Sequence, residues 1–117
     1  MIQFYGYNKC STCVKAKKLL SSSGADFADI DITINPPPAD LLEDILKYGE
    51  YELKDLFNKS GQMYRELNMK EKMNQLSKAE LIDLLAKNGR LVKRPIIVNG
   101  RKYSVGFAEH KIKQVIN

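Results

Sequence analysis

The chain has 117 residues, of which 44% are hydrophobic and 28% are charged. This length suits one domain of the commonest size, and the composition excludes collagen-like, mucin-like and broadly disordered proteins. No segment approaches the roughly 18 apolar residues that a membrane span requires, and the first residues lack the basic lead and apolar run of a signal peptide. We therefore expect a protein of the cytoplasm that does not associate with a membrane.

The formal net charge of +5 is concentrated in the last third of the chain. Residues 86–117 contain eight lysines and arginines but one acidic residue, Glu109, so this segment carries a formal charge of +7. Two interpretations stay open: a surface for anionic ligands or acidic proteins, or a solvated face that keeps the protein soluble. No nucleic-acid recognition motif accompanies the charge, so we do not expect direct binding to nucleic acid.

The first 35 residues predict a strand, a helix and a second strand. Strand-forming residues at 2–7 predict the first strand. Apolar positions at helical spacing predict a helix that starts at Ser11 or Thr12 and ends in the serines and glycine at 21–24. Alternating side chains at 27–32 predict the second strand, and a parallel crossover of this length is expected to be right-handed.

The segment that follows is predicted to be helical from Ala39 to about Asn88. A run of three prolines separates it from the second strand. Ser77 and Glu80 have the spacing of a capping box, which would start the last of these helices. Asn88 together with Gly89 is expected to end that helix.

The last section of the chain returns to strands and closes with a helix. Residues 96–98 and 102–105 flank Asn99 and Gly100, a dipeptide that favours a hairpin with a type I′ turn. Apolar spacing at 108–116 predicts the closing helix. The whole order is therefore βαβ, a helical block, and then ββα.

This order predicts a single α/β domain over residues 1–117. We expect residues 1–35 and 89–117 to form one sheet with its helices. Residues 36–88 would form an all-helical insertion between these two parts.

The two cysteines, Cys10 and Cys13, stand three positions apart, a spacing that random placement gives about 2% of the time. Cys10 falls where a helix is about to begin, and the amides and dipole of a helix start stabilise a thiolate. Lys9 and Lys15 add positive charge nearby. Thiols of this kind typically have pKa values of about 3.5–7.5, against about 8.5 for a free cysteine. We predict that Cys10 attacks a substrate and that Cys13, one turn later, closes the disulfide.

Three other interpretations of the cysteine pair stay open. Zinc binding would need further ligands, and His110 is the only histidine. A structural disulfide would be unusual in the cytoplasm, and two inert thiols could be neighbours by chance. The sequence contains no metal or cofactor motif, so no cofactor is predicted.

Arg94 and Pro95 form the second notable feature. A proline fits the entrance of a strand, because it cannot donate a hydrogen bond to the sheet. In a sheet of the predicted order this loop lies beside the end of the first strand and therefore near Cys10. Arg94 could there bind an anionic intermediate or a carboxylate of glutathione through two parallel hydrogen bonds, or it could be a surface cation in a basic stretch.

Three segments of the chain are similar to segments of a known family: YGYNKCSTCVKA at 5–16, RPIIV at 94–98 and VGFAE at 105–109. With them the chain resembles the glutaredoxin-type arsenate reductases and the Spx/MgsR proteins over almost its whole length. The resemblance implies a thioredoxin-like fold with a helical insertion, a redox-active disulfide, Pro95 as a cis-proline facing the active cysteine, and Arg94 as a site residue. The cysteine motif looks most like poorly characterised arsenate-reductase-like members of Gram-positive bacteria.

The arsenate reductase branch implies an oxidoreductase, but this chain departs from its pattern. Those enzymes have a stretch similar to LLRKN where this chain has LFNKS at 56–60, and they have an arginine where Gly106 stands. Two of the three arginines expected to hold an oxyanion are thus absent, and each such contact contributes roughly 1.5–3 kcal/mol. We therefore expect thiol–disulfide chemistry without efficient arsenate reduction. The co-substrate would be glutathione or a thioredoxin- or glutaredoxin-type reductant. The partner would be a client protein with a thiol or disulfide, or glutathione.

The Spx/MgsR branch implies an alternative without turnover. Its members bind the C-terminal domain of the RNA polymerase α-subunit and use the C-x-x-C pair as an oxidation switch. A glycine in the insertion and basic residues near the Arg-Pro pair contribute to that contact. Gly49 is the candidate counterpart of this glycine, although the loop at 49–52 is built differently. This resemblance implies a redox-sensing transcriptional regulator that binds RNA polymerase.

Overall fold

A four-stranded mixed sheet forms the centre of the computed structural model, which describes residues 1–117. Its strands are β1 (Ile2–Gly6), β2 (Phe27–Asp31), β3 (Ile96–Asn99) and β4 (Lys102–Val105). Their spatial order is β2-β1-β3-β4. β1 and β2 are parallel, whereas β3 is antiparallel to both of its neighbours. Each end of the chain therefore contributes two neighbouring strands, as the sequence predicts.

Six α-helices accompany the sheet, and four of them form the predicted helical block between the second and third strands. No helix combines the length and the apolar character that crossing a membrane requires. The helices are α1 (Ser11–Ser22), α2 (Ala39–Tyr48), α3 (Gln62–Glu66), α4 (Met69–Gln75), α5 (Lys78–Lys87) and α6 (Glu109–Ile116), with short 3₁₀ turns at Leu53–Leu56 and Gly89–Leu91.

The two faces of the sheet are covered by different helices. Side chains alternate along a strand, so Phe4 and Tyr5 of β1 point to opposite faces. Phe4 is buried in a cluster with α1 and α6, whereas Tyr5 belongs to the cluster that the sheet shares with the helical block. Helices on both faces of a βαβ…ββα sheet confirm the predicted thioredoxin-like (glutaredoxin-type) α/β fold.

α5 begins and ends where the sequence predicts, but Gly89 is present for a different reason. The Glu80 amide donates to Ser77 Oγ at 3.2 Å and the Ser77 amide donates to Glu80 Oε1 at 3.1 Å, which completes the capping box. Gly89 does not adopt the left-handed conformation of a glycine that caps a helix. A side chain at Gly89 would collide with the carbonyl oxygen of Ile32, so this glycine allows the helical block to pack closely against the end of β2.

The hairpin between β3 and β4 forms where the sequence predicts it, but its turn differs. Asn99 pairs with Lys102, so the two turn residues are Gly100 and Arg101. Only Gly100 has a positive φ, of 64°; this is the requirement of a type II′ turn, whereas type I′ needs a positive φ at both positions. The prediction of a type I′ turn is wrong because the glycine occupies the first turn position rather than the second.

Candidate redox site

Cys10 lies at the junction of β1 and α1, directly before the first helical residue. The Cys10 amide donates to the Tyr7 carbonyl at 3.1 Å, and the Cys10 carbonyl accepts from the Val14 amide at 3.1 Å. The Cys10 thiol is half-buried, whereas Cys13, one turn later, is buried beneath α1. Both thiols are free and interact directly with each other. The backbone therefore holds Cys10 at the helix start, as the sequence predicts.

The pKa of the Cys10 thiol is lowered to about 7. Partial burial raises this pKa, but hydrogen bonds from the Thr12 hydroxyl and from the thiol and backbone of Cys13, together with the charge of Arg94, outweigh the effect of burial. Cys10 therefore forms the thiolate, which is the nucleophilic form, more readily at neutral pH than an ordinary cysteine does.

Cys13 ionises in the opposite sense. Burial raises the pKa of Cys13 to about 12, and its interaction with the Cys10 sulfur acts in the same direction. The Tyr7 amide, which donates to Cys13 Sγ at 3.5 Å, opposes this rise without cancelling it. The pair therefore combines a half-exposed thiol that ionises near neutral pH with a buried thiol that stays protonated.

Thr12 connects the cysteine pair to the loop that carries Arg94, a role that the sequence analysis missed. Its Oγ1 lies 3.0 Å from Cys10 Sγ and 3.5 Å from the Arg94 carbonyl oxygen, to which it donates. A hydroxyl has a single proton, so Thr12 can donate to the Cys10 thiolate only when it does not donate to that carbonyl. The position of a hydroxyl two residues after a cysteine at a helix start is the signal that could have identified it.

Arg94 lies beside the cysteines and precedes Pro95 in a cis peptide bond, as the resemblance implies. Its guanidinium lies over the Tyr7 ring, 5.5 Å from the ring centroid, and it takes part in no ion pair. Arg94 supplies the positive charge that lowers the pKa of the neighbouring thiol, whereas Lys9 and Lys15, which the sequence indicated, do not.

An open cavity of about 550 Å³, here called the thiol cavity, lies over Cys10. It is lined by Cys10, Ser11, Thr12, Asn58, Ser60, Gly61, Lys93, Arg94, Val105, Gly106 and Phe107. None of these residues is acidic. A second cavity, of about 240 Å³, adjoins it and shares Asn58, Gly61 and Arg94. The helical block therefore supplies one wall of the thiol cavity.

Two positions of the thiol cavity are those at which the family resemblance leads us to expect arginines. One is in the stretch 56–60, represented by Asn58, and the other is Gly106. The cations of the cavity are instead Lys93 and Arg94. Lys93 belongs to the basic last third of the chain, and nothing in its local pattern places it near the cysteines.

His110, the remaining candidate ligand of the zinc alternative, is exposed on α6. No group of three or more His, Cys, Asp or Glu side chains is arranged to hold a metal ion. The contacts of the two cysteines are with each other, with Thr12 and with the Tyr7 amide, and these contacts are those of a dithiol redox pair.

Comparison with known proteins agrees with this geometry. Residues 5–115 match the family model of the ArsC family. The chain belongs to the ArsC family. It is 42% identical over 113 residues to YusI of Bacillus subtilis, covering 97% of this chain and 96% of YusI. It is also 30% identical over 117 residues to the global transcriptional regulator Spx of Streptococcus pyogenes, covering all of this chain and 86% of Spx.

A solved structure shares this fold at higher sequence identity. The crystal structure described as a possible arsenate reductase from Streptococcus mutans matches with a TM-score of 0.85 and 46% identity, over 92% of this chain and 91% of that protein. The predicted membership of the arsenate reductase and Spx family is thus confirmed. Together with the close pair of Cys10 and Cys13, it identifies a thiol redox protein of the ArsC family.

Proposed function

We propose that this protein is a thiol–disulfide oxidoreductase in which Cys10 is the nucleophile and Cys13 the resolving thiol. The observation that carries the proposal is the placement of two neighbouring thiols, of which Cys10 is half-exposed at the thiol cavity and Cys13 is buried. Cys10 has a pKa of about 7 beneath an open cavity, whereas burial keeps Cys13 protonated. Because the thiolate is the form that attacks a disulfide, this difference supports Cys10 as the first residue to react.

In the proposed reaction the Cys10 thiolate attacks one sulfur of a substrate disulfide, RS–SR′. A Cys10–SR bond forms, the substrate S–S bond breaks, and R′S⁻ leaves. The Cys13 sulfur then attacks Cys10, and the proton of Cys13 passes to the departing RS⁻. The products are RSH, R′S⁻ and the Cys10–Cys13 disulfide, so the substrate gains two electrons. Glutathione, or a thioredoxin- or glutaredoxin-type dithiol, would return the protein to its dithiol form.

Arg94 is proposed to stabilise the anionic sulfur in both steps. Its charge already lowers the pKa of Cys10, and no carboxylate of the protein pairs with it. Because Asn58 and Gly106 contribute no charge to the cavity, we propose organic disulfides rather than arsenate as substrates. Small disulfides and client proteins of the cytoplasm both belong to this class.

The mass of the purified protein after reaction with 2-hydroxyethyl disulfide tests the proposed roles. The natural chain should lose two hydrogens as Cys10 and Cys13 form their disulfide. Cys13→Ser should retain a stable mercaptoethanol adduct on Cys10. Cys10→Ser cannot form the Cys10–Cys13 disulfide, and it should form an adduct much more slowly than Cys13→Ser does. An adduct that accumulates on Cys13 instead would reverse the assignment. If the natural chain does not react at all, the proposal is wrong.

A tagged Cys13→Ser variant then identifies the substrate. Without the resolving thiol, Cys10 should retain clients as mixed disulfides in a lysate of the native host. After a high-salt wash, reductant should release glutathione or client proteins, and the Cys10→Ser chain serves as the control that retains none.

A second candidate function is that of a redox-sensing regulator that binds RNA polymerase. Its support is the 30% identity to the global transcriptional regulator Spx, which extends over the whole chain. Binding of the reduced and the oxidised protein to the C-terminal domain of the polymerase α-subunit tests this candidate. Binding that changes with the redox state of Cys10 and Cys13 would favour regulation, whereas no binding in either state would eliminate it.

A further inference from the structure

Lys93 lies at the thiol cavity in space that a side chain at position 106 would need. Its Cε atom is 3.0 Å from the position of a Cβ built on Gly106, and its Cγ is 3.7 Å away. Gly106 also has a positive φ of 77°, which other residues adopt only with strain. The glycine therefore leaves room for the lysine stem to pack along the cavity wall.

The protein does not neutralise the charge of Lys93. No carboxylate lies within 4 Å of its ammonium group, and no acidic residue lines the thiol cavity. Lys93 also borders a cavity that contains Glu50 and Asp55. Glu50, however, pairs with Lys111 at 3.9 Å, and Asp55 accepts a hydrogen bond from a backbone amide at 2.9 Å. The ammonium group is thus available to an anion that enters the thiol cavity.

Lys93 and Arg94 act on different parts of this space. Arg94 contributes to the lowered pKa of Cys10, whereas Lys93 does not contribute. Lys93 nevertheless lines the same cavity, so its charge acts on the space that the remainder of a bound substrate would occupy. The reacting sulfur and the group attached to it therefore meet separate cations.

We propose that the thiol cavity selects disulfides that carry a negatively charged group close to the reacting sulfur, and that Lys93 determines this selectivity. The inference rests on the proposed function, because Cys10 must be the residue that reacts. A carboxylate on the substrate would otherwise repel the Cys10 thiolate as the new S–S bond forms and the thiolate of the other half leaves. The Lys93 ammonium offsets that repulsion.

Alkylation separates this charge preference from the reactivity of Cys10. Iodoacetate and iodoacetamide form the same kind of thioether with the thiolate and release iodide, but only iodoacetate is anionic. The test compares the two rates at Cys10 in the natural chain and in three variants. Lys93→Gln removes the charge, Lys93→Arg retains it, and Lys102→Gln removes a charge from β4 outside the cavity as the matched control.

We expect Lys93→Gln to slow iodoacetate about fivefold, the effect of one charge about 4 Å away in water, and to leave the iodoacetamide rate unchanged. Lys93→Arg should retain the natural ratio, Lys102→Gln should not alter it, and about 1 M salt should reduce the difference. Disulfide substrates should show the same dependence on their charge. Lys93→Gln should slow reduction of 3,3′-dithiodipropionate, which is anionic, and speed reduction of cystamine, which is cationic.

Two results would overturn the inference. An unchanged ratio in Lys93→Gln would show that the lysine does not select by charge, and an equal loss of both rates would show that it acts on the structure of the site. Failure of the proposed function gives a different result: the natural chain would then show no rapid iodoacetamide reaction near neutral pH, and the inference would fall with it.

Discussion

The two walls of the thiol cavity come from different parts of the chain and are held by different interactions. The wall with the cysteines consists of the first turn of α1 and the loop before β3. Thr12 joins these two segments, because its hydroxyl reaches both Cys10 Sγ and the Arg94 carbonyl. Every group that sets the pKa of Cys10 belongs to this wall.

The opposite wall consists of residues 58–61 of the helical block and the residues that follow β4. The Asn58 amide donates to the Leu91 carbonyl at 2.8 Å, which attaches the helical block to the segment that precedes Lys93. The Val105 amide donates to the Tyr51 hydroxyl at 3.1 Å, so the helical block also holds the end of β4. None of these contacts reaches either thiol.

This difference separates reactivity from selection. Reactivity depends on short contacts to sulfur within one wall, whereas the space and charge offered to a substrate depend on how distant segments pack together. Substitutions of the groups that set the pKa of Cys10 should therefore change the rate with every reagent and its pH dependence. Substitutions elsewhere in the cavity should change the rate with charged reagents alone.

The largest expected effect is that of Cys10→Ser. In the natural chain the rate of iodoacetamide alkylation should rise with pH to a plateau with a midpoint near pH 7, because the thiolate forms as the pH passes the pKa of about 7. In Cys10→Ser only the buried, protonated Cys13 remains, so the rate at pH 7 should fall at least about 100-fold. Cys13→Ser is the control and should keep the midpoint within about 1 pH unit of the natural value. A fast reaction of Cys10→Ser at pH 7 would contradict the division between the two thiols.

Thr12→Val should have the next largest effect. Loss of the hydroxyl removes the strongest of the interactions that lower the pKa of Cys10. A hydrogen bond to a charged group contributes about 1.5–3 kcal/mol, and solvent replaces part of it at a half-exposed thiol. We expect the midpoint to rise by about 1 pH unit and the rate at pH 7 to fall about fivefold. Thr12→Ser retains the hydroxyl and should keep the natural profile, and equal profiles for the serine and valine variants would contradict the role of Thr12.

The sequence predicted the cysteine wall better than the opposite one, for a physical reason. Cys10 stands at a helix start and Cys13 follows one turn later, and local spacing reveals both positions. Lys9 is adjacent to Cys10 in the chain but does not lower the pKa of Cys10, whereas Arg94 does. Arg94 reaches the cysteine only because a distant loop packs beside it. The contact between Lys93 and Gly106 depends on tertiary packing alone, so no local pattern could indicate it.

The type II′ turn at Gly100 illustrates the same limit on a smaller scale. Asn99 and Gly100 correctly indicated a hairpin, but the pairing register of β3 and β4 decided which residues form the turn. The order of strands and helices follows from local periodicity, whereas register and packing between elements do not. Cavity walls built from such packing must be taken from the structure.

Arg94→Gln should act less strongly on Cys10 than Thr12→Val does, because its charge makes the smaller contribution to the lowered pKa. We expect the alkylation midpoint to rise by about half a pH unit and the iodoacetamide rate at pH 7 to fall about twofold. Arg94→Lys retains the charge, so its alkylation midpoint should fall between those of the natural chain and Arg94→Gln. Titration of the thiolate by its ultraviolet absorbance measures the same shift independently. An unchanged midpoint would show that the guanidinium of Arg94 does not lower the pKa of Cys10.

Asn58→Arg should have the smallest effect on Cys10 and should change selection by charge instead. Asn58 lies on the opposite wall and does not act on the pKa of either cysteine, so the iodoacetamide profile should stay unchanged. An arginine there adds a third cation to a cavity without acidic residues, so iodoacetate should react about threefold faster. Asn58→Gln enlarges the side chain without charge and should change neither rate. A shift of the iodoacetamide midpoint in Asn58→Arg would show that the two walls are electrostatically coupled, because charge placed on one would then reach the sulfur on the other.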